Sequence, residues 1–201
     1  VLHACEYLEK FHGFQVTYLP VDREGRVSPD DLCRALRPET LLVSIMASNN
    51  EIGTIEPIQA LGEICRNAGV LFHTDAVQSA GKVPLSLKDW PVDLAAISGH
   101  KLYGPKGIGA LYIRRGVQLH ALLHGGAHEK NRRAGTENVP GAVGLGAACD
   151  VALKEMATEE PRVRALRDRL EKGLLERIPF VHVNGHPTER LPGNLNLSFA
   201  F

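Results

Sequence analysis

The sequence carries no excess of charge of either sign. Its 23 Lys and Arg stand against 23 Asp and Glu, so the formal net charge is zero. That removes the electrostatic signature of a nucleic-acid binder or of a protein held on an anionic membrane. No apolar run approaches the roughly 20 residues of a membrane-spanning helix, and no secretory signal is visible at the start. The only cysteines are Cys5, Cys33, Cys65 and Cys149, and none forms a CxxC or other metal-ligand spacing. Each falls in a helical pattern among apolar residues, which predicts buried, reduced thiols of the cytosolic type. Internal repeats and low-complexity tracts are absent. The His-Glu-x-x-His pattern of metalloproteases is missing, and Gly104-Pro105-Lys106-Gly107 has the wrong spacing for a Walker loop. His120, His124 and His128 recur every four residues, but Gly125 and Gly126 interrupt the helix that would align them, so no metal site is expected. Gly144-Leu145-Gly146 has no strand before it, and close helix packing is the expected role rather than a dinucleotide loop.

What is present is an alternation of helical and strand patterns over 201 residues, enough for one large domain with its own core. Leu2 to His12 has helical spacing with Gly13 as its stop, and Phe14 to Leu19 alternates like a strand. Ser28-Pro29-Asp30-Asp31 starts a helix: a serine cap, proline in the first turn, then acids at the positive end of the dipole. Strands are expected at Leu41–Ala47, Val70–His73, Leu94–Ile97 and Gly109–Ile113, with a helix from Pro57 to Asn67 ending at Gly69. From about Gly141 the pattern turns helical, and Glu159–Arg177 reads as one long amphipathic helix with Pro161 in its first turn. Phe180–Val183 and Asn194–Phe199 read as strands of a second, smaller unit. Strands alternating with helices predict an α/β layered domain around a mostly parallel sheet. Val1 enters a helical pattern directly, and the run Asn194 to Phe201 reads as a strand that stops midway. Both ends are therefore expected to be cuts, making the chain the interior piece of a longer protein.

Lys101 is the most informative residue. It lies in Ser98-Gly99-His100-Lys101-Leu102-Tyr103-Gly104-Pro105-Lys106-Gly107, a Gly- and Pro-rich turn between two buried runs. Such a setting can desolvate an ammonium and lower its pKa, as an amine needs for Schiff-base chemistry with an aldehyde. Open α/β sheets bind ligands beyond the carboxyl ends of their parallel strands. Three expected ends carry polar clusters: Ser48-Asn49-Asn50-Glu51, Thr74-Asp75-Ala76-Val77-Gln78, and Ser98-Gly99-His100-Lys101. If the strands are neighbours, Asn50, Asp75, Gln78, His100 and Lys101 converge. That set suits pyridoxal phosphate: a lysine for the aldehyde, a carboxylate for the ring nitrogen, an amide for the phenolate oxygen, and Ser and His near Gly for phosphate oxygens.

At these residues the chain resembles the cysteine desulfurases, class V aminotransferase-like enzymes of PLP fold type I. The resemblance rests on Asn49-Asn50-Glu51-Ile52-Gly53, His73-Thr74-Asp75-Ala76-Val77-Gln78, the run Ser98 to Arg114, His124-Gly125-Gly126, and Arg133-Ala134-Gly135-Thr136-Glu137-Asn138, and it spans essentially the whole chain. The first and last of these forms point to the iron–sulfur and nitrogenase-type branch. The resemblance implies a three-layer large domain with a seven-stranded type of sheet, residues 1–155 being its central part. It makes residues 156–201 a linking helix and the start of a small α+β domain. It implies that Lys101 is the catalytic, cofactor-bearing lysine and that Asp75 partners the ring nitrogen. Gln78 and Asn50 would serve the phenolate oxygen, Val77 would pack on the ring face, and Ser98 and His100 would bind phosphate. Thr136 would be a phosphate ligand given to the other subunit of a homodimer.

The implied reaction turns L-cysteine into L-alanine, leaving an enzyme-bound persulfide for an iron–sulfur scaffold or other sulfur-acceptor protein, in the cytoplasm or, in a eukaryote, the mitochondrial matrix. No nucleic acid, membrane or metal is implied. The sequence departs from the family pattern at Gly125-Gly126-Ala127, where a third glycine is usual. The family's ring-stacking histidine, first phosphate loop and sulfur-accepting cysteine loop fall outside the chain, so the chain alone is expected to be inactive. A selenocysteine lyase and a non-catalytic dimerising relative are the rival readings. Activity on each amino acid separates the first, and retention of Lys101 and Asp75 speaks against the second.

Overall fold

The computed structural model describes residues 1–200. Helix α1 (Leu2–His12) is followed by α2 (Pro29–Ala35), strand β1 (Leu42–Met46), α3 (Ile58–Ala68), β2 (Leu71–Asp75) and β3 (Leu94–Ser98). A short 3₁₀ helix (Gly99–Leu102) leads to β4 (Gly109–Ile113), then come the long α4 (Val139–Arg177), β5 (Val181–Asn184) and β6 (Asn196–Phe199). The main sheet has the order β1-β2-β3-β4. The first three strands are parallel and β4 runs back antiparallel to β3, with Ser98 opposite Gly109. The carboxyl ends of β1, β2 and β3 therefore lie side by side, which is what the site needs.

One sheet face is covered. Val43, Ile45, Phe72 and Ala95 pack against Leu32 of α2 and Ile58, Leu61 and Cys65 of α3 in a single core. The alternation within β1 and β2 follows from this: Val43, Ile45, Phe72 and Thr74 point inward, and Leu42, Ser44, Met46, His73 and Asp75 point to the other face. A smaller cluster joins the 3₁₀ helix to α4 through Ala80, Leu102 and Leu145. The Gly144 expectation of close packing is met there, since a Cβ at this position would come within 2.5 Å of Pro105. The β5–β6 hairpin unit is tied back to the large unit by backbone bonds from Leu191 N to Gly53 O (2.9 Å) and Ile55 N to Glu189 O (2.8 Å). Asn194 Nδ2 adds a bond to Glu51 O (2.9 Å).

Several expectations need correction. Phe14–Leu19 forms no strand and joins neither described sheet. Alternation makes a segment fit to pair but does not supply a partner, and the segment is not added to the free edge at β1. Pro161 lies well inside a single 39-residue helix instead of in a first turn. The helix carries through the missing N–H with ion pairs on both sides of the proline, Glu159 with Arg162 and Glu160 with Arg164. The cysteines are not uniformly buried: Cys65 is, Cys5 and Cys149 are half-buried, and Cys33 is exposed. Helix α2 has only seven residues and buries Leu32, so its next residue turns outward. Phe201, the last residue of the expected final strand run, lies outside the described residues.

Candidate active site

Each strand end is shaped by a local device. After β1, Asn49 Oδ1 accepts hydrogen bonds from Glu51 N (2.8 Å) and Ile52 N (3.0 Å), a side-chain turn that leaves Asn50 exposed at its tip. At the end of β2, Asp75 Oδ1 accepts from Val77 N (3.0 Å), which fixes one carboxylate oxygen and leaves the other available. Beyond it, Ser79 N and Ala80 N both bond to Ala76 O, so Ala76–Ala80 is one helical turn with Val77 and Gln78 on it. At the end of β3, Ser98 Oγ and His100 Nδ1 are 2.9 Å apart. Gly99 N bonds Ile108 O (2.9 Å), closing the loop that carries Lys101. A Cβ at Gly99 would approach Ile108 Cγ2 to 2.8 Å and Pro105 O to 3.0 Å, so the loop closes this tightly around glycine.

A cleft of about 960 Å³ opens where these ends meet α4 and the Leu191–Asn194 segment. Asn50, Gln78 and Lys101 line it, together with Lys82. Asp75, Val77, Ser98 and His100 do not line it; Asp75 and Ser98 share the sheet face opposite the α2–α3 core, Asp75 being opposite Ala96, two residues before Ser98 on β3. Val77 is half-buried on the same turn as Gln78, and His100 is exposed. Thr136 is exposed in the segment before α4 and does not line the cleft. Lys101 is half-buried in the 3₁₀ helix, anchored by the buried Leu102. The next residue, Tyr103, takes a left-handed conformation (φ 59) and is fully exposed, which ends the turn just past the lysine.

The electrostatics are uneven. Burial pushes the Lys82 amine below its ordinary pKa, and the charge of Lys101 adds to the effect. Burial likewise lowers His73, while Asp75 pulls in the opposite direction. His73 Nδ1 is 2.8 Å from Ser44 Oγ, on the face that carries Asp75. The Thr74 hydroxyl is buried and makes no hydrogen bond within the described residues. Cys65 lies in the core, and burial together with Asp93 pushes its thiol up to about 11, which removes it as a nucleophile. None of the four cysteines lines the cleft. The segment with His120, His124 and His128 is not helical.

The donor set fits pyridoxal phosphate: a lysine amine in the cleft, a strand-end carboxylate with a free oxygen for the ring nitrogen, two amides at the cleft wall, and a paired hydroxyl and imidazole beside a glycine for phosphate. Lys82 is the site residue that the sequence reading missed. Its only signal was the four-residue spacing from Gln78, which has meaning once both are known to share a turn. Arg114 was also missed. It clamps the segment before β3, with Nε on Val92 O (2.9 Å) and Nη2 on Trp90 O (3.0 Å).

All of residues 1–201 match the aminotransferase class-V family. Cysteine desulfurase IscS of Methanosarcina thermophila is 56% identical over 201 residues, which cover 100% of this chain and 49% of that protein. A NifS-like protein of known structure superposes with a TM-score of 0.94 at 42% identity, over 99% of this chain and 54% of the other. SspA, solved in complex with cysteine, superposes with a TM-score of 0.85 at 37% identity, over 100% of this chain and 55% of the other. The chain spans about half the length of the curated relatives it matches.

Proposed function

This chain belongs to the class-V aminotransferase family, and on that premise we propose that it is the cofactor-bearing part of a pyridoxal phosphate-dependent cysteine desulfurase. The observation that carries the proposal is the single cleft collecting Lys101, Gln78 and Asn50 at the carboxyl ends of neighbouring strands, with Asp75 at the adjacent end. Support also comes from the similarity to cysteine desulfurase IscS and from the cysteine-bound SspA structure.

When bound, pyridoxal phosphate supplies an electron sink for charge that develops at the substrate's α-carbon. The residues of the chain do the rest. Lys101 would hold the cofactor through its amine, and the same amine would be placed to move protons at the substrate's α- and β-carbons. Asp75, with one oxygen taken by Val77 N, would use its other oxygen to keep a proton on the ring nitrogen. Gln78 and Asn50 would donate to the phenolate oxygen, Val77 would pack on the ring, and Ser98 and His100 would bind phosphate oxygens. Thr136, which does not line this cleft, would supply a phosphate ligand to the other subunit of a homodimer. The substrate's C–S bond breaks and an S–S bond forms on an acceptor thiolate. The β-carbon gains a proton, so L-cysteine yields L-alanine and a persulfide. The persulfide passes to an iron–sulfur scaffold or other sulfur acceptor, in the cytoplasm. The same reading divides the chain into residues 1–155, the centre of the large domain, and 156–201, the linking helix and start of a small domain.

The test is to load the full-length protein with pyridoxal phosphate and measure alanine from L-cysteine and from L-selenocysteine. Alanine from cysteine supports the proposal. Alanine from selenocysteine alone would make the protein a selenocysteine lyase, and cofactor binding without turnover of either would make it a non-catalytic relative.

A further inference from the structure

Lys82 is a second lysine in the same cleft as Lys101, and nothing in the proposed reaction uses it. Its position is built. Lys82 N and Val83 N both bond Ser79 O, extending the turn that begins at Ala76, so Gln78 and Lys82 stand four residues apart on one side of it. Gly81 lets that turn approach closely: it has φ +70, and a Cβ there would lie 2.5 Å from Leu102 Cδ2 and 3.0 Å from Ala152 Cβ. The close approach tucks the Lys82 side chain, half-buried, between the 3₁₀ helix and α4.

Lys82 Nζ donates to Gln78 Oε1 at 3.3 Å. An ammonium has donors only, whereas a primary amide has an oxygen that accepts and an NH2 group that donates. The lysine therefore dictates which way the amide faces. With the oxygen turned to Lys82, the NH2 group is left for the cleft, and it bonds no protein acceptor among the described residues. Without Lys82 the amide can rotate by half a turn and present its oxygen instead, which repels an anion.

Lys82 itself enters no salt bridge among the described residues. The other charged groups lining the cleft are Lys101 from the 3₁₀ helix and Glu155, Glu159 and Glu160 from α4. Burial and the Lys101 charge lower the Lys82 pKa; it is the ammonium form, with donors only, that fixes the amide orientation.

We propose that Lys82 is a positioning residue, holding the Gln78 amide so that its NH2 group faces the cleft beside Lys101 and donates to an anionic oxygen of the occupant. The inference rests on the proposed function, in which that oxygen is the cofactor's phenolate.

The experiment titrates the visible absorption band of pyridoxal phosphate bound to the full-length protein against pH. The wild type is compared with Gln78→Leu, Lys82→Met, Lys82→Arg and the Gln78→Leu/Lys82→Met double variant, with thermal melting as the check on folding. A donor to the phenolate favours the more negative, deprotonated form of the chromophore, so its loss raises the midpoint. Lys82→Met is expected to raise it by about half to one pH unit, in the same direction as Gln78→Leu. The double variant is expected to shift no further than Gln78→Leu alone, because the two residues act through one amide. Lys82→Arg keeps a donor and is expected to restore the wild-type midpoint. Lys82→Ala replaces Lys82→Met if the methionine variant fails to fold. An unmoved midpoint in the Lys82 truncation, or shifts that add in the double variant, overturn the inference and leave the proposed function standing. A wild-type protein with no visible band overturns both.

Discussion

Replacing Gly81 by alanine tests whether the cleft depends on the close approach of the Ala76–Val83 turn to the lysine loop. Two costs are separable. An L-residue at φ +70 costs about 1–2 kcal/mol of backbone energy. The new methyl would also press Leu102 Cδ2 at 2.5 Å and Ala152 Cβ at 3.0 Å. Leu102 is buried and Ala152 has no side-chain torsion to use. Overpacking of this kind costs about 1–3 kcal/mol. The sum is about 2–5 kcal/mol, which for a domain of this size lowers Tm by about 4–20 °C. Gly107→Ala is the control: φ is +77 but no atom lies within 4 Å, so only the backbone cost of about 1–2 kcal/mol applies. Gly146→Ala, in α4 with open space around it, is expected to stabilise by about 0.5–1 kcal/mol. Thermal unfolding by circular dichroism gives the three shifts, and equilibrium dialysis of pyridoxal phosphate gives cofactor affinity. Gly81→Ala should lose affinity as well as stability, because the turn it displaces carries Gln78 and Lys82. Equal melting and equal affinity for the Gly81 and Gly107 variants would refute the packing argument.

Asp75→Ala in the full-length protein is expected to lower turnover by at least about a hundredfold. It should lower Tm by only a few degrees, since it removes one hydrogen bond to Val77 N, worth about 1 kcal/mol. A melting temperature that collapses along with activity would make Asp75 a structural residue. Glu56 is buried and accepts a hydrogen bond from Val27 N, yet burial raises its carboxyl above the ordinary range. A raised folded-state pKa contributes stability below the ordinary carboxylate value, and that contribution is lost as pH rises through the folded value. Glu56→Gln keeps the acceptor and removes the ionisation, so in urea unfolding it should match wild type near about pH 4 and exceed it near about pH 8. A variant weaker than wild type at the higher pH would show that the Arg26 charge outweighs desolvation.

Much of the scaffold was legible because its signals are local. The strands β1 to β4 are apolar runs closed by polar clusters, and α2 announces itself through Ser28 and Pro29, with Ser28 Oγ accepting from Asp31 N. Phe14–Leu19 failed because alternation describes a segment and is silent on its partner. The Pro161 position failed because a proline that begins one helix and a proline that interrupts another look the same in one dimension. At the site, the strand-end residues could be named in advance, since three strands sharing a parallel sheet put their ends together. The walls of the cleft could not: α4 and the Leu191–Asn194 segment reach it from far along the chain. Lys82 stayed hidden for a related reason, because its relation to Gln78 exists through a turn and its burial exists through Gly81.

The most direct measurement is the site of covalent attachment. The full-length protein is loaded with pyridoxal phosphate, reduced with borohydride, digested and sequenced by mass spectrometry. The reduced cofactor is expected on Lys101 and none on Lys82, although both amines line the cleft. Label on Lys82, or no labelled lysine at all, would contradict that expectation.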